Sequence, residues 1–295
     1  MLDRLFAPDS FFSQNFSFLA KRFVPGESTA AAIAAVAQLN RGGMTATLDY
    51  LGEDVFEREA AAATRDVYLA MLDAIRSSGA NTNVSVKLTA MGLLVDEDFA
   101  LDNLLQIAER ARRNEDPFVR IDMEGSAVTE RTLRLFERAY ATHKNVGIVL
   151  QAYLKRTPGD VERAIELGAR VRLCKGAYNE PPEIAIKSMP QIREQYLALA
   201  HELLVRGNYP GIATHDHRLI GALKTFAAER SIGSDRFEFQ MLYGCRPHVQ
   251  RALVAQGYRM RVYVPYGTHW AGYFYRRVLE RRENALFALS SIFSR

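Results

Sequence analysis

The sequence predicts an α/β protein whose strand–helix units close into a (β/α)8, TIM-like barrel. Three observations lead to this prediction. The chain has 295 residues, which is enough for one such barrel. Eight short apolar or β-branched runs recur along it, each with room for a helix after it. Strands that alternate with helices form parallel sheets with right-handed crossovers, and eight units favour closure over an open sheet.

The first third of the chain carries the clearest helix signals. Ser28 is placed to cap the run TAAAIAAVAQLN, and the glycines at 42 and 43 end it. A second helix is expected over residues 53–79, since apolar residues recur there at helical spacing. The residues expected to be buried on this helix are Val55, Tyr68, Leu69, Leu72 and Ile75.

The strand candidates divide the chain into repeating units. They lie at residues 44–52, 83–88, 118–123, 147–154, 170–174, 211–215, 237–242 and 260–264. Helices are expected between them, for example in FALDNLLQIAERARR, VTERTLRLFERAYATH and DVERAIELGA. We expect one domain over 1–295, consisting of an N-terminal helical extension (about 1–43), the barrel (about 44–283, ending in a helix over its mouth) and a tail (284–295).

Composition excludes several classes of protein. The formal charge is +4 and the basic residues are dispersed, so no nucleic-acid partner is expected. The two cysteines, Cys174 and Cys245, are far apart and fit a reducing compartment better than a disulfide framework. No run approaches the ~20 apolar residues that span a bilayer. A cytoplasmic protein is therefore expected, with peripheral contact at the inner face of the membrane left open.

Polar residues occur in or directly after nearly every strand candidate. They are Asp49, Lys87, Asp122, Glu124, Gln151, Arg172, Lys175, Thr214, His215, Asp216, Gln240 and Tyr263. In a barrel of this kind the chemistry lies at the carboxyl ends of the strands. The cations Lys87, Arg172 and Lys175 suit a ligand with a phosphate or a carboxylate.

Known nucleotide-binding motifs are missing from the sequence. There is no GxGxxG, and the block CKGAY lacks the frame of a Walker loop, although Gly176 would let a ligand approach the backbone. His215 and His217 would share a face of a strand. Because no third ligand follows at a suitable spacing, we expect no metal site and assign His215 a hydrogen-bonding role.

The run GTHWAGYFYRRVLERR predicts a helix with a polar face. Tyr273, Arg276, Arg277 and Glu280 lie at i, i+3, i+4 and i+7, which places them along one side. Two adjacent arginines there could clamp a carboxylate, with Glu280 holding one of them. An exposed helix with intrahelical ion pairs explains the same pattern equally well.

The blocks VSVKLTAMG, RIDMEGS, VLQAYL, RLCKGAY, ATHD, FQMLYG, VYVPYG and YFYRRVLE closely resemble the proline dehydrogenases, in order, over most of the chain. The resemblance implies a (β/α)8 barrel that binds FAD without a Rossmann domain. It also implies oxidation of L-proline to Δ1-pyrroline-5-carboxylate, with hydride passing from C5 to N5 of FAD and electrons passing to a quinone. This is the first step of proline catabolism to glutamate.

The resemblance further implies roles for individual residues. Those expected to be catalytic are Lys87, Asp122, Arg172, Arg276 and Arg277. Those expected to bind the substrate are Lys87, Arg276 and Arg277 on its carboxylate and Leu242, Tyr263 and Tyr273 on its ring. Those expected to bind FAD are Asp122, Val149, Gln151, Arg172, Lys175, Gly176, Ala177, Tyr178, Thr214, His215, Asp216, Gln240, Leu242, Arg277 and Glu280. A tyrosine at 273 favours proline over hydroxyproline.

Two other functions remain open on the residues alone. Lys87 or Lys175 could form a Schiff base in a barrel aldolase. The aromatic N-terminal stretch, with the tail NALFALSSIFSR, could instead belong to a non-catalytic membrane- or partner-binding module. The chain is too short for the fused aldehyde dehydrogenase domain of some proline dehydrogenases. The product is then expected to go to a separate pyrroline-5-carboxylate dehydrogenase.

Overall fold

The computed structural model describes residues 22–268, which form a closed barrel of eight parallel strands. Helix α1 (Thr29–Arg41) precedes the barrel. Strands and helices then alternate as β1 (Thr45–Tyr50), α2 (Arg58–Ser78), β2 (Thr82–Val86), α3 (Glu97–Ala111), β3 (Val119–Ile121), α4 (Ser126–Thr142), β4 (Val146–Gln151), α5 (Thr157–Glu166), β5 (Val171–Cys174), α6 (Met189–Arg206), β6 (Gly211–Ala213), α7 (His217–Glu229), β7 (Glu238–Leu242), α8 (Pro247–Ala255) and β8 (Met260–Tyr266). Strand β8 pairs with β1, so the predicted (β/α)8 barrel is confirmed.

Helix α1 begins where the sequence predicts. The Ser28 hydroxyl accepts a hydrogen bond from the backbone N–H of Ala31 at 3.2 Å, and Gly42 ends the helix. Its buried residues Ala32 and Val36 belong to the main hydrophobic core. The helix packs against the outer face of β1 and β8, where the barrel closes.

The second helix begins later than predicted. We expected it from residue 53, but α2 begins at Arg58. The intervening backbone is bonded to the β2–α3 loop: the N–H of Asp54 donates to Thr89 Oγ1 at 3.0 Å and that of Val55 to the Thr89 carbonyl at 3.3 Å. Asp54 also has a left-handed φ of 54°, so an α-helix cannot include this residue. Val55 is therefore only half-buried, whereas the predicted core residues Tyr68, Leu72 and Ile75 are buried.

The apolar core lies outside the barrel, between the strands and the surrounding helices. One set of alternate strand residues faces it, and these residues are almost completely buried: Leu48, Val84, Ile121, Leu173, Phe239 and Val262. Because successive strand residues point to opposite faces, the residues between them must point into the barrel.

The inside of the barrel is polar. Its buried residues include Thr47, Asp49, Asn83, Ser85, Arg120, Gln151, Arg172, Glu238, Gln240 and Arg261. Arg172 on β5 reaches both Ser85 on β2 and Gln240 on β7, and those contacts are possible only across the lumen. Barrels of this class are usually filled with branched apolar side chains, so this lumen is unusual and requires its charges to be paired.

Two glycines make room for the polar side chains of the lumen. A Cβ on Gly147 would lie 2.4 Å from the Phe118 ring and 2.9 Å from Nη1 of Arg120. A Cβ on Gly211 would lie 2.4 Å from Nε2 of Gln240. The missing side chain on one strand thus provides the space that a long polar side chain of a neighbouring strand occupies.

Within residues 22–268, every helix is too short or too polar to cross a bilayer. The predicted helix over the barrel mouth and the tail at 284–295 lie outside the described residues.

Replacing Gly147 by Ala should lower the free energy of unfolding by about 1–3 kcal/mol, because the new methyl group overlaps a ring and a backbone carbonyl. Gly221→Ala is the matched control, since Gly221 is exposed within α7 and a Cβ there would meet nothing within 4 Å. That control should be neutral or raise stability by up to about 1 kcal/mol. Urea unfolding followed by circular dichroism measures both. Equal stability of the two variants would contradict the packing argument.

Candidate active site

The Asp122 carboxylate, directly after β3, connects three other strands at the barrel mouth. Its Oδ1 accepts hydrogen bonds from Ser85 Oγ at 2.6 Å and from Arg172 Nη1 at 2.8 Å. Its Oδ2 accepts a hydrogen bond from the Tyr263 hydroxyl at 2.7 Å. Charge-assisted bonds of this length are strong, so Asp122 fixes the relative positions of these side chains.

Arg172, on β5, is the central cation of this group. Its Nε donates to Gln240 Oε1 at 2.5 Å, and its guanidinium carbon lies 5.3 Å from the centre of the Tyr263 ring. Within residues 22–268, no protein group accepts a hydrogen bond from Nη2. The protein thus holds Nε and Nη1, and Nη2 remains as a donor for a ligand.

Lys87, directly after β2, forms a buried ion pair with Asp49 of β1. Its Nζ donates to both carboxylate oxygens, at 3.0 and 2.8 Å. Burial raises the pKa of Asp49, and the Lys87 ammonium opposes that shift. Burial alone would lower the pKa of Lys87, but attraction to Asp49 and Asp122 outweighs it, so the pKa is raised. The amine stays protonated at neutral pH, which disfavours Schiff-base formation at Lys87.

A second charged cluster lies between the loops after β5 and β6. Asp216 accepts a hydrogen bond from Lys175 Nζ at 2.6 Å and another from Arg193 Nε at 2.7 Å. It also caps α7 by accepting from the N–H of Arg218 at 3.0 Å. Burial opposes ionisation of Asp216, but the bonds from Arg193 and Lys175 dominate and lower its pKa. Within residues 22–268, two cations therefore share this one carboxylate.

The loop after β5 is attached to β4 by a side chain. Gln151 donates to the Glu124 carbonyl at 3.0 Å and accepts a hydrogen bond from the N–H of Ala177 at 3.4 Å. Gly176, the residue before Ala177, has a φ of 113°, and a Cβ there would lie 2.1 Å from the Tyr153 ring. The missing side chain makes room for that ring, and the expectation that Gly176 lets a ligand approach the backbone stays a prediction.

The two neighbouring histidines do not share a strand face. Strand β6 ends at Ala213, and His217 is the exposed first residue of α7, so that expectation is wrong. His215 Nε2 accepts a hydrogen bond from the N–H of Leu242 at 3.0 Å, which requires that nitrogen to be unprotonated. In the described part of the chain, no group of three or more His, Cys, Asp or Glu residues is arranged to hold a metal ion.

Of the remaining predicted residues, some lie at the barrel mouth and the others lie outside the described residues. Val149 lies on β4 opposite Arg172, the Thr214 hydroxyl accepts from the N–H of Asp216 at 3.1 Å, and Tyr178 lies in the loop after β5. The structure therefore brings the predicted residues of β2 to β8 together around one barrel mouth. The predictions for Tyr273, Arg276, Arg277 and Glu280 fall outside the described residues, as does most of the aromatic N-terminal stretch.

Sequence reasoning missed Ser85, Glu238 and Arg193. The first two carried a readable signal, because polar residues alternate with buried apolar ones in TNVSVK and FEFQML. That alternation marks residues that face the lumen along the whole strand, whereas we looked for polar groups mainly at strand ends. Arg193 lies within α6, and nothing in its spacing points to Asp216.

Comparison with known proteins identifies similar chains. A family model described as "Proline dehydrogenase" matches residues 32–289. "Proline dehydrogenase 1" of Bacillus subtilis (strain 168) is 40% identical over 273 residues, which is 92% of this chain and 90% of that protein. "Proline dehydrogenase" of Deinococcus radiodurans is 39% identical over 279 residues, which is 93% of this chain and 90% of that protein.

Among solved structures, proline utilization A (PutA) from Bdellovibrio bacteriovorus, inactivated by N-propargylglycine, is similar with a TM-score of 0.84 and 27% identity. The match covers 92% of this chain and 34% of that one. The barrel of the present chain thus corresponds to part of a longer protein in that case.

Replacing Lys87 by Met should lower the free energy of unfolding at pH 7 by about 3–5 kcal/mol, because it leaves the Asp49 carboxylate buried without its partner. A carboxyl whose pKa is raised in the folded state loses stability as pH rises through that pKa. The deficit should therefore be smaller at pH 4 than at pH 7. Lys87→Met/Asp49→Asn should recover part of the loss in chemical unfolding. A pH-independent deficit would contradict the pairing.

Proposed function

The chain belongs to the proline dehydrogenase family and is an enzyme of proline catabolism, and from that premise we propose that it oxidises L-proline to Δ1-pyrroline-5-carboxylate. When bound, FAD supplies the acceptor for the hydride from C5 of proline and passes the electrons to a quinone. The observation that carries the proposal is Arg172, a cation held by Asp122 and Gln240 across the lumen, whose Nη2 group has no acceptor among the described residues.

The residues around Arg172 fit the cofactor chemically. An isoalloxazine ring has polar atoms along its edges, and Arg172, Gln151 and Gln240 offer guanidinium and amide groups to such edges at the mouth of a polar lumen. The cluster of Lys175, Arg193 and Asp216 places two cations beside one carboxylate, and cationic donors suit the diphosphate of FAD. We assign the remaining contacts to Asp122, Val149, Gly176, Ala177, Tyr178, Thr214, His215, Leu242, Arg277 and Glu280.

The substrate side of the site combines a cation with apolar walls. Lys87 stays protonated and attracts the substrate carboxylate, while the Tyr263 ring and Leu242 flank the mouth and suit the apolar proline ring. Asp122 holds the Tyr263 hydroxyl, so the tyrosine presents its ring in a fixed orientation. Holding both reactants in place accounts for much of the rate enhancement. Arg276 and Arg277 are assigned to the carboxylate and Tyr273 to the ring.

The charge of the site also favours loss of a proton from the substrate. The amine of proline must be neutral before the hydride leaves C5. Cations such as Lys87 and Arg172 disfavour a second positive charge nearby and so lower the pKa of that amine. Among the described residues we assign no dedicated general base to this step. The cyclic imine product would then pass to a separate enzyme that oxidises it.

Anaerobic addition of L-proline to the purified protein should bleach its visible flavin absorbance. Subsequent addition of a quinone should restore that absorbance. D-Proline is the matched control, because a site built around fixed cations distinguishes the position of the carboxylate. Borohydride in the presence of a carbonyl compound should trap no covalent adduct, in contrast to a Schiff-base aldolase. A purified protein without flavin, or a flavin that L-proline leaves oxidised, contradicts the proposal.

Replacing Arg276 or Arg277 by Met should raise the KM for proline by about 30-fold or more, since a charge-assisted contact to a desolvated carboxylate is lost. The flavin content of Arg276→Met should stay close to that of the wild type, which separates a substrate role from a folding role. Arg277 is also assigned to FAD but is one of many contacts, so Arg277→Met should lose at most part of its flavin. Steady-state kinetics measure the KM, and the ratio of visible flavin absorbance to ultraviolet protein absorbance measures the flavin content. Unchanged proline affinity in both variants would refute the carboxylate clamp.

A further inference from the structure

Below Arg172, the lumen contains a hydrogen-bonded pair of side chains, and one of the two, Glu238, has been assigned no role so far. Glu238 and Gln240 both lie on β7 and point inward. The Gln240 amide donates from Nε2 to Glu238 Oε1 at 2.6 Å and accepts at Oε1 from Arg172 Nε at 2.5 Å. The amide therefore lies between a carboxylate on one side and a guanidinium on the other. Gly211 provides the space that it occupies.

Glu238 acts only as an acceptor in this arrangement. Its Oε1 also accepts from Arg261 Nε at 2.7 Å, and its Oε2 accepts from the Tyr209 hydroxyl at 3.3 Å. Burial would raise the pKa of Glu238, but attraction to Arg261 and the bonds from Arg261 and Gln240 outweigh burial and lower it. An ionised carboxylate has no proton to donate, so the NH2 end of the Gln240 amide must face it.

We propose that Glu238 is a positioning residue for flavin reduction, because it sets the direction of the Gln240 amide and thereby holds the Arg172 guanidinium in place. This inference rests on the proposed function, in which Arg172 contacts the flavin. An amide in the opposite orientation would present its NH2 group to Arg172 Nε, so two donors would face each other. The guanidinium would then have to move, and a small displacement of a group at a reacting centre lowers rate strongly.

Two variants at 238 test the orientation. Glu238→Met removes the acceptor, so nothing then fixes which end of the Gln240 amide faces Arg172, and a buried donor without a partner is costly. Glu238→Gln is the conservative variant. Its carbonyl oxygen can take the place of Oε1 and accept from both Gln240 and Arg261, while its NH2 group faces the Tyr209 hydroxyl, which can accept.

Asp116→Asn is the matched control. Asp116 pairs with Nη2 of Arg261 at 3.0 Å and accepts a hydrogen bond from Asn83, but it has none with Gln240. The variant therefore perturbs the same arginine without removing the acceptor of the Gln240 amide. If Glu238 mattered only as a partner of Arg261, Asp116→Asn and Glu238→Met would act alike.

Two measurements separate the outcomes. In stopped-flow reduction at saturating proline, Glu238→Met should lower the rate constant by about 10-fold while the steady-state KM changes by less than about 3-fold, because Arg172 and not the substrate contacts is displaced. Glu238→Gln and Asp116→Asn should both stay within about 3-fold of the wild type. In flavin-free protein labelled with 15N-arginine, the Nε–H signal of Arg172 should shift in Glu238→Met and not in Glu238→Gln or Asp116→Asn.

Unchanged reduction by Glu238→Met, or an equal loss in Glu238→Gln or Asp116→Asn, overturns the inference. If Glu238→Met is obtained only unfolded, Glu238→Met/Arg261→Met decides, because it replaces the buried ion pair by apolar side chains: a shifted Arg172 signal with slower reduction supports the inference, and a wild-type signal or an unfolded protein overturns it. A wild-type flavin that proline does not reduce refutes the proposed function instead, and the NMR comparison still decides whether Glu238 holds Arg172.

Discussion

A charge inside a barrel is tolerated only where it meets an opposite charge or a full set of hydrogen-bond partners, and this constraint organises the lumen described above. Arg172, Arg261 and Lys87 each face a carboxylate from another strand at 3.0 Å or less. Because each pair joins two strands, the pairs fix the register of the side chains around the barrel. The apolar core outside the strands stabilises the fold, but it does not specify the positions of these groups.

The pairs are also connected along the barrel axis. Arg261 and Glu238 lie below Gln240, which bonds Arg172, and Arg172 in turn bonds Asp122 at the mouth. A hydrogen-bonded chain of this kind carries orientation as well as energy, since each acceptor determines which end of the next group must donate. Rigid support below a reacting centre limits the reorganisation that the reaction requires.

Periodicity predicted an α/β chain of eight strand–helix units, which favours a closed barrel because few other topologies are possible. The resemblance to the proline dehydrogenases supported that fold. Periodicity also selected most of the polar residues at the mouth. It could not pair them: Asp49 with Lys87, or Asp122 with Arg172 and Tyr263, depends on which strands face each other across a closed sheet. The late start of α2 depends likewise on bonds to another loop.

The pairing of charges has a consequence for how the site would bind an anionic substrate. Lys87, Arg172, Lys175 and Arg193 face the carboxylates Asp49, Asp122 and Asp216, so most of their charge is already compensated within the protein. Within residues 22–268, Lys175 and Arg193 share the Asp216 carboxylate, and the proposed function puts the diphosphate beside them. A proline carboxylate near Lys87 would therefore meet a cation that is shared with Asp49. Under the proposed function, most of the attraction for that carboxylate must come from Arg276 and Arg277. The lumen charges would then serve chiefly to orient donors, because a paired cation keeps its direction while losing much of its long-range field.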